Sequence, residues 1–249
     1  MRIALLIEYE GSSYFGWQNQ NSFPSIQENL EIALRKIAKE KVSTFCGGRT
    51  DSGVHAIGQV VHFDTTKNIP YSAWIKGTNS YLPKSIRIKN MLYVNENFHA
   101  RYSAISRKYH YILYNGPEEF ALLRNFVTYY KIPLNEKNMQ IASNYLIGEK
   151  DFSTFRSRKC QSKSSIRKIY KIRIFRKNNY IIFEIVANSF LYKMVRNIIG
   201  SLISVGTGKK KIGWILEILL KKNRNFASFT APSNGLFLTK INYPKKIFL

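Results

Sequence analysis

A chain of 249 residues, 45% of them hydrophobic, is long enough for one large domain or two small ones with a real core. No stretch approaches the roughly 18 consecutive apolar residues of a membrane span. The net charge of +24, from 39 Lys and Arg against 15 Asp and Glu, is costly in self-repulsion unless a polyanion neutralises it, which points to nucleic acid as the partner. The excess is uneven: from residue 151 onward 21 basic residues face only Asp151, Glu184 and Glu217. Cys46 and Cys160 lie far apart and lack CxxC or Cys/His spacing, so neither a disulfide framework nor a metal site is expected. Met1-Arg2-Ile3 runs directly into a strand-like segment instead of a secretory leader, and the expected location is cytoplasmic.

The apolar period switches repeatedly between two and 3.6, the pattern of a mixed α and β protein. Arg2 to Tyr9 alternates as a strand, and Gly11 to Asn21 reads as a polar loop. Ser25-Ile26-Gln27-Glu28 forms a capping box, after which Ile26, Leu30, Ala33, Leu34 and Ile37 share one helical face, predicting a helix over about 25–39. Short strands are expected at Thr44 to Cys46, Gln59 to Asp64, Arg87 to Val94 and Tyr109 to Tyr114. Asn135 caps a helix that runs to about Ile147 and stops at Gly148. Ile169 to Phe175 and Tyr180 to Ala187 read as a hairpin turning at Lys177-Asn178-Asn179. Helices over Phe190 to Val205 and Ile212 to Leu220 and a strand over Leu236 to Ile241 complete the chain. Each half has elements enough for its own sheet. The expected division is an N-terminal subdomain, 1–105, and a basic C-terminal subdomain, 106–249, with a cleft between them as the natural site.

The segment CGGRTDSGVHAIGQVVHF at 46–63 places Asp51 in a loop framed by Gly47, Gly48 and Gly53. Helix capping suits the aspartate poorly, because a strand pattern and not a helix resumes within eight residues. A metal would need further carboxylates, and Glu40 and Asp64 are not at ligand spacing. Covalent or proton-transfer chemistry remains, with Arg49 two residues away able to hold the carboxylate ionised or to reach a phosphate.

GGRTDSGVHAIGQVVHF resembles the signature of the tRNA pseudouridine synthase A (TruA) family. The resemblance extends to YEGSSYFGWQNQ at 9–20, NFHARYSAISRKYHYILYN at 97–115, GEKDFSTFR at 148–156 and NSFLYKMVRNIIGSL at 188–202. It spans essentially the whole chain in the family's order. Ser52 departs from the alanine of the family's usual GRTDAGVH. The resemblance implies the α+β pseudouridine synthase fold, with two similar sheet-plus-helix halves. It also implies isomerisation of uridine to pseudouridine without a cofactor, action on the tRNA anticodon stem-loop at positions 38–40, and a homodimer. Asp51 is then the catalytic aspartate, either attacking the ribose C1′ or removing the 2′ proton to give a glycal.

Tyr109 matches the family's active-site tyrosine, whose ring would stack on uracil and whose hydroxyl would help remove the C5 proton. Arg196 lies in a largely apolar helix and needs a carboxylate partner, for which Asp51 is the candidate; such a pair lowers a carboxyl pKa by roughly 1–3 units. Arg49 is assigned to the RNA, filling the stack of a flipped base or holding its phosphate. Arg107, Lys108 and Lys193 complete the expected RNA-contacting set, with Tyr109. Competing readings are the same chemistry on ribosomal RNA, a non-catalytic RNA-binding protein, and an enzyme that cleaves the base, which ordinarily needs a second acid that is not evident near the loop.

Overall fold

The computed structural model describes residues 1–20 and 22–244. Two compact units emerge: Met1–Arg107 together with the segment that returns at Phe237, and Lys108–Leu236.

In the first unit, β1 (Arg2–Tyr9) lies between β3 (His55–Asp64) and β4 (Ile86–Val94) and pairs antiparallel with both. Central position explains its composition: Ile3, Leu5 and Ile7 are fully buried, as a strand with neighbours on both edges and a covered face requires. β2 (Phe45–Cys46) adds to β3. The last strand, β10 (Leu236–Asn242), runs parallel to β3 through Phe237 opposite His55 and Leu238 opposite Ala56. This chain segment belongs by sequence to the C-terminal half, yet from Phe237 it completes the first unit's sheet.

Helix α1 (Ile26–Ala38) forms as the capping box predicts: the Glu28 amide donates to Ser25 Oγ at 3.2 Å. It ends where Lys39 turns left-handed at φ 54° and donates to the Arg35 carbonyl. Leu30 and Leu34 on its inner face are fully buried, each worth about 1.5–3 kcal/mol. A π-helical turn at Ala73–Gly77 continues into the short helix α2 (Thr78–Tyr81), an element absent from the sequence reading. Trp74 anchors it, fully buried with its ring 5.3 Å from Phe63.

The second unit has the strand order β5 (Ser106–Tyr114), β9 (Tyr180–Ala187), β8 (Ile166–Lys177), β7 (Gly148–Asp151), with β6 (Thr128–Tyr129) parallel to β5. β8 and β9 form the expected hairpin, and Asn178 takes the left-handed conformation at its turn, φ 53°. Helix α3 (Glu136–Ser143) starts with the Asn138 amide on Asn135 Oδ1 at 2.9 Å and tightens to a 3₁₀ turn over Asn144–Leu146. α4 (Met194–Gly206) is buried on nearly every side, and α5 (Trp214–Lys221) follows. α4 begins four residues later than its apolar run suggests. Lys193 adopts φ 59°, which no right-handed helix contains, so Phe190 to Tyr192 precede the helix.

Candidate active site

The loop from Gly47 to Val54 in the first unit carries Arg49 and Asp51. Asp51 is half-buried and Arg49 is exposed. Hydrogen bonds hold the loop on both sides of them. At the loop's start, the Gly47 amide donates to Val60 O at 2.7 Å, and Gln59 clamps Gly48 from both sides: the Gly48 amide donates to its Oε1 at 3.2 Å and its Nε2 donates to the Gly48 carbonyl at 2.6 Å. Thr50, buried next to Asp51, shares a 2.8 Å hydrogen bond with the Tyr9 hydroxyl, and its carbonyl accepts from Trp17 N at 3.1 Å. Beyond the aspartate, Val54 N closes a turn on Asp51 O at 3.1 Å, Gly53 passes through φ 75°, and Ser52 Oγ donates to Tyr14 O at 3.3 Å. Ser52, the departure noted in sequence, therefore fastens the loop to the preceding segment.

That preceding segment approaches closely because of one glycine. Gly16 has φ 94°, and a Cβ there would lie 2.6 Å from the Thr50 carbonyl oxygen. His55, to which the sequence assigns no role, accepts the Gly11 amide at Nδ1, 3.0 Å away, and stacks on Phe237 at 4.8 Å. These contacts, with the pairing to β10, extend β3 back to His55, four residues before the start at Gln59 read from the sequence.

Arg107 is buried at 7% exposure, and its guanidinium lies beneath the loop: Nε and Nη2 donate to the Gly47 carbonyl at 3.0 and 2.9 Å, Nη1 to Ala104 O at 3.2 Å, and Nη2 also to Arg101 O. The sequence groups Arg107 with RNA-contacting residues; the structure gives it loop-holding contacts. Gln59 and Tyr9 were missed altogether. A fully buried glutamine on an alternating strand was the available signal, since a buried amide must find partners. Burial pushes the Tyr9 hydroxyl pKa up, and burial likewise pushes the Cys46 thiol up to about 12, so both are neutral beside the loop.

In the second unit, Tyr109 on β5 is buried at 7% exposure, its ring edge-on to Phe190 with centroids 5.1 Å apart. Arg196 lies in the first turn of α4, half-buried, and its Nε donates to Ala231 O at 2.7 Å while the Ala231 amide donates back to Arg196 O at 3.1 Å. This paired contact fixes the root and the fork of the side chain. Burial pushes the nearby Tyr111 hydroxyl pKa up, against the smaller opposing effects of its hydrogen bond with Thr128 and of the Arg196 charge. Lys108 Nζ is 2.5 Å from Glu184 Oε2, and Glu184 also meets Lys171 and His110. Burial alone would raise the Glu184 pKa, but these three partners outweigh it and hold it at about 2. Lys193 sits just before α4 with its ammonium 5.4 Å from the Tyr192 ring centroid.

Among the described residues no three His, Cys, Asp or Glu side chains are grouped to hold a metal, and no helix is long and apolar enough to cross a membrane.

Residues 5–103 and 142–244 match the family model described as tRNA pseudouridine synthase. Among similar proteins, the tRNA pseudouridine synthase A of Blochmanniella pennsylvanica is 52% identical, over 98% of this chain and 93% of its own. Its counterpart from Legionella pneumophila (strain Lens) is 48% identical over 100% of this chain and 95% of its own. That of Buchnera aphidicola subsp. Acyrthosiphon pisum (strain APS) is 50% identical over 97% and 91%. A solved structure titled "Structure of H/ACA RNP bound to a substrate RNA containing 2'-deoxyuridine" contains a chain with a TM-score of 0.40 and 12% identity, covering 82% of this chain and 44% of that one. With a family model matched over most of its length and relatives near 50% identity end to end, the chain belongs to the tRNA pseudouridine synthase family.

Proposed function

We infer that the protein isomerises uridine to pseudouridine in tRNA, with Asp51 as the catalytic carboxylate. The observation that carries the reading is a single aspartate on a loop clamped at Gly48 by Gln59 and closed on itself by Val54 N on Asp51 O, in a chain of net charge +24. A protein that only bound RNA would gain nothing from a rigidly presented negative charge facing phosphates.

The reaction exchanges the C1′–N1 bond of uridine for a C1′–C5 bond; C5 loses its proton and N1 gains one. Asp51 either attacks C1′ or takes the 2′ proton, and both routes need an ionised oxygen at a set position. Tyr109 supplies a ring for the uracil to stack on, oriented by its edge contact with Phe190, and a hydroxyl that helps remove the C5 proton. Arg196, its fork directed by Ala231, is the proposed partner that keeps Asp51 ionised. Arg49 takes the space or the phosphate of the displaced nucleotide, since flipping a base costs a few kcal/mol. Arg107 acts through the loop as a positioning residue, and Lys108 and Lys193 belong to the RNA-facing surface. No cofactor enters this scheme. The anticodon stem-loop at positions 38–40 as target and a homodimer in the cytoplasm are parts of the same proposal.

The test is incubation with a uracil-labelled tRNA transcript followed by nucleoside analysis and mapping of the modified position. Pseudouridine in the anticodon arm supports the reading. Free uracil would make the protein a base-cleaving enzyme, unchanged uridine a binding protein, and conversion confined to ribosomal RNA would replace the substrate.

A further inference from the structure

Within the second unit, a cavity of about 500 Å³ is lined by Arg158, Lys159, Lys193 and Arg224 with no carboxylate among its lining residues. Its floor is built. Arg224 donates through Nη1 to Ser228 O at 2.9 Å and through Nη2 to Asn197 Oδ1 and Thr230 Oγ1 at 3.1 and 3.2 Å. Asn197 is itself fully buried and donates to Phe155 O at 2.8 Å, so the guanidinium is locked in place by a buried amide. On the rim, Arg158 Nη2 is positioned by Asn225 Oδ1 at 3.1 Å. The loop that carries Arg158 and Lys159 is shaped from inside by Arg156, whose Nη2 donates to Cys160 O at 2.8 Å and Ser162 O at 2.7 Å, and is fastened by Ser157 N on Tyr192 O at 3.2 Å.

Four cations converging on one cavity repel each other, and the cost is greatest where burial removes water. Elsewhere in this unit the chain spends an acid on such a cluster: Glu184 answers Lys108, Lys171 and His110. Here it spends none. A neutral ligand would leave the repulsion standing, and a metal cation would add to it. An anion with several acceptor oxygens relieves it and offers each ammonium and guanidinium a charge-assisted hydrogen bond.

We propose that this cavity is a phosphodiester subsite for the RNA backbone, binding a phosphate other than that of the reacting uridine and fixing the register of the RNA on the second unit. It rests on the reading of the protein as an RNA isomerase for the identity of its ligand, not for its existence. Phosphate contacts of this kind supply affinity and orientation without sequence information.

Arg158 and Lys159 are exposed, so Arg158→Ala/Lys159→Ala removes two charges without opening the core. The measurement is tRNA affinity across a salt series for the parent, for this variant, for Arg158→Lys/Lys159→Arg, and for Lys209→Ala/Lys210→Ala, which removes the same charge from the exposed turn after α4. The subsite predicts roughly tenfold weaker binding for the double alanine variant and a log–log salt slope shallower by about one to two, with most of the affinity returning in the charge-conserving variant. Unchanged affinity and slope would overturn it. So would an equal loss in the Lys209/Lys210 variant, which would reduce the effect to general charge. Calorimetry with inorganic phosphate adds a further arm: phosphate binding abolished by the variant with tRNA affinity intact would make the cavity a free-anion site and overturn the RNA assignment. Pseudouridine formation by the parent reports on the isomerase reading alone, so the two fail separately.

Discussion

Arg107 donates Nε and Nη2 to the same carbonyl oxygen, that of Gly47, at 3.0 and 2.9 Å across 60 residues of sequence. The first residue of the glycine pair in the Asp51 loop is thereby fastened to the start of β5 by a buried charge. Gln59 on Gly48 and the Tyr9–Thr50 hydroxyl pair complete the clamp. The loop's rigidity is thus a property of tertiary contacts more than of its own turn.

Arg107→Lys is therefore expected to destabilise the first unit by about 2–3 kcal/mol, because an ammonium cannot reproduce the buried fork on Gly47 and loses the part-buried contacts to the Ala104 and Arg101 carbonyls. Chemical denaturation with tryptophan fluorescence measures this. A change below about 0.5 kcal/mol would show that the guanidinium is dispensable beneath the loop.

Asp51→Asn is expected to reduce single-turnover pseudouridine formation by more than about 10³-fold while tRNA binding stays within several-fold of the parent. The amide preserves volume and the turn closed by Val54 N on Asp51 O, which is a backbone contact. Conversion within tenfold of the parent would remove Asp51 from the chemistry. Activity lost together with binding would point to a structural loop.

Gly16→Ala places a methyl 2.6 Å from the Thr50 carbonyl in a left-handed backbone conformation. The expected cost is at least about 1–2 kcal/mol, with loss of conversion exceeding loss of tRNA affinity because the displaced atoms adjoin Asp51. Parent-like stability and turnover would show that the loop tolerates movement there.

His62 sets a pH window. It is buried, with Nδ1 accepting the Ala100 amide at 3.1 Å, and burial first, then His99 and Arg2, hold its pKa at about 4 against 6.5 for a free histidine. Between those values the unfolded chain binds the proton that the folded chain refuses, so stability falls as pH drops from 6.5 toward 4 and is unaffected by this group above 6.5. Glu184 acts in the same direction only below its ordinary value near 4.5. Urea midpoints from pH 7.5 to 4.5 should decline less steeply for His62→Gln than for the parent. Identical slopes would assign the acid sensitivity elsewhere.

The sequence by itself determined the local elements and the chemistry on offer. Ser25 and Asn135 cap their helices as read, and β1 and the β8–β9 hairpin stand where alternation puts them, because capping and pleating depend on neighbours within a few residues. Asp51 among glycines and the surplus of basic residues were equally visible. Only the tertiary structure decided what holds that aspartate and which residues share a unit. Arg107 reads in sequence as an RNA-contacting cation and is instead buried under Gly47; the strand from Leu236 reads as the end of the second half, and Phe237 and Leu238 instead pair with β3. The sequence start for α4 at Phe190 failed for a related reason: Lys193 is left-handed, a conformation that costs a non-glycine residue roughly 1–2 kcal/mol and persists only where surrounding packing outweighs it. Periodicity reports on contacts along the chain, whereas the partner of a buried charge or a strand edge lies tens of residues away, and only the folded chain brings the two within hydrogen-bonding distance.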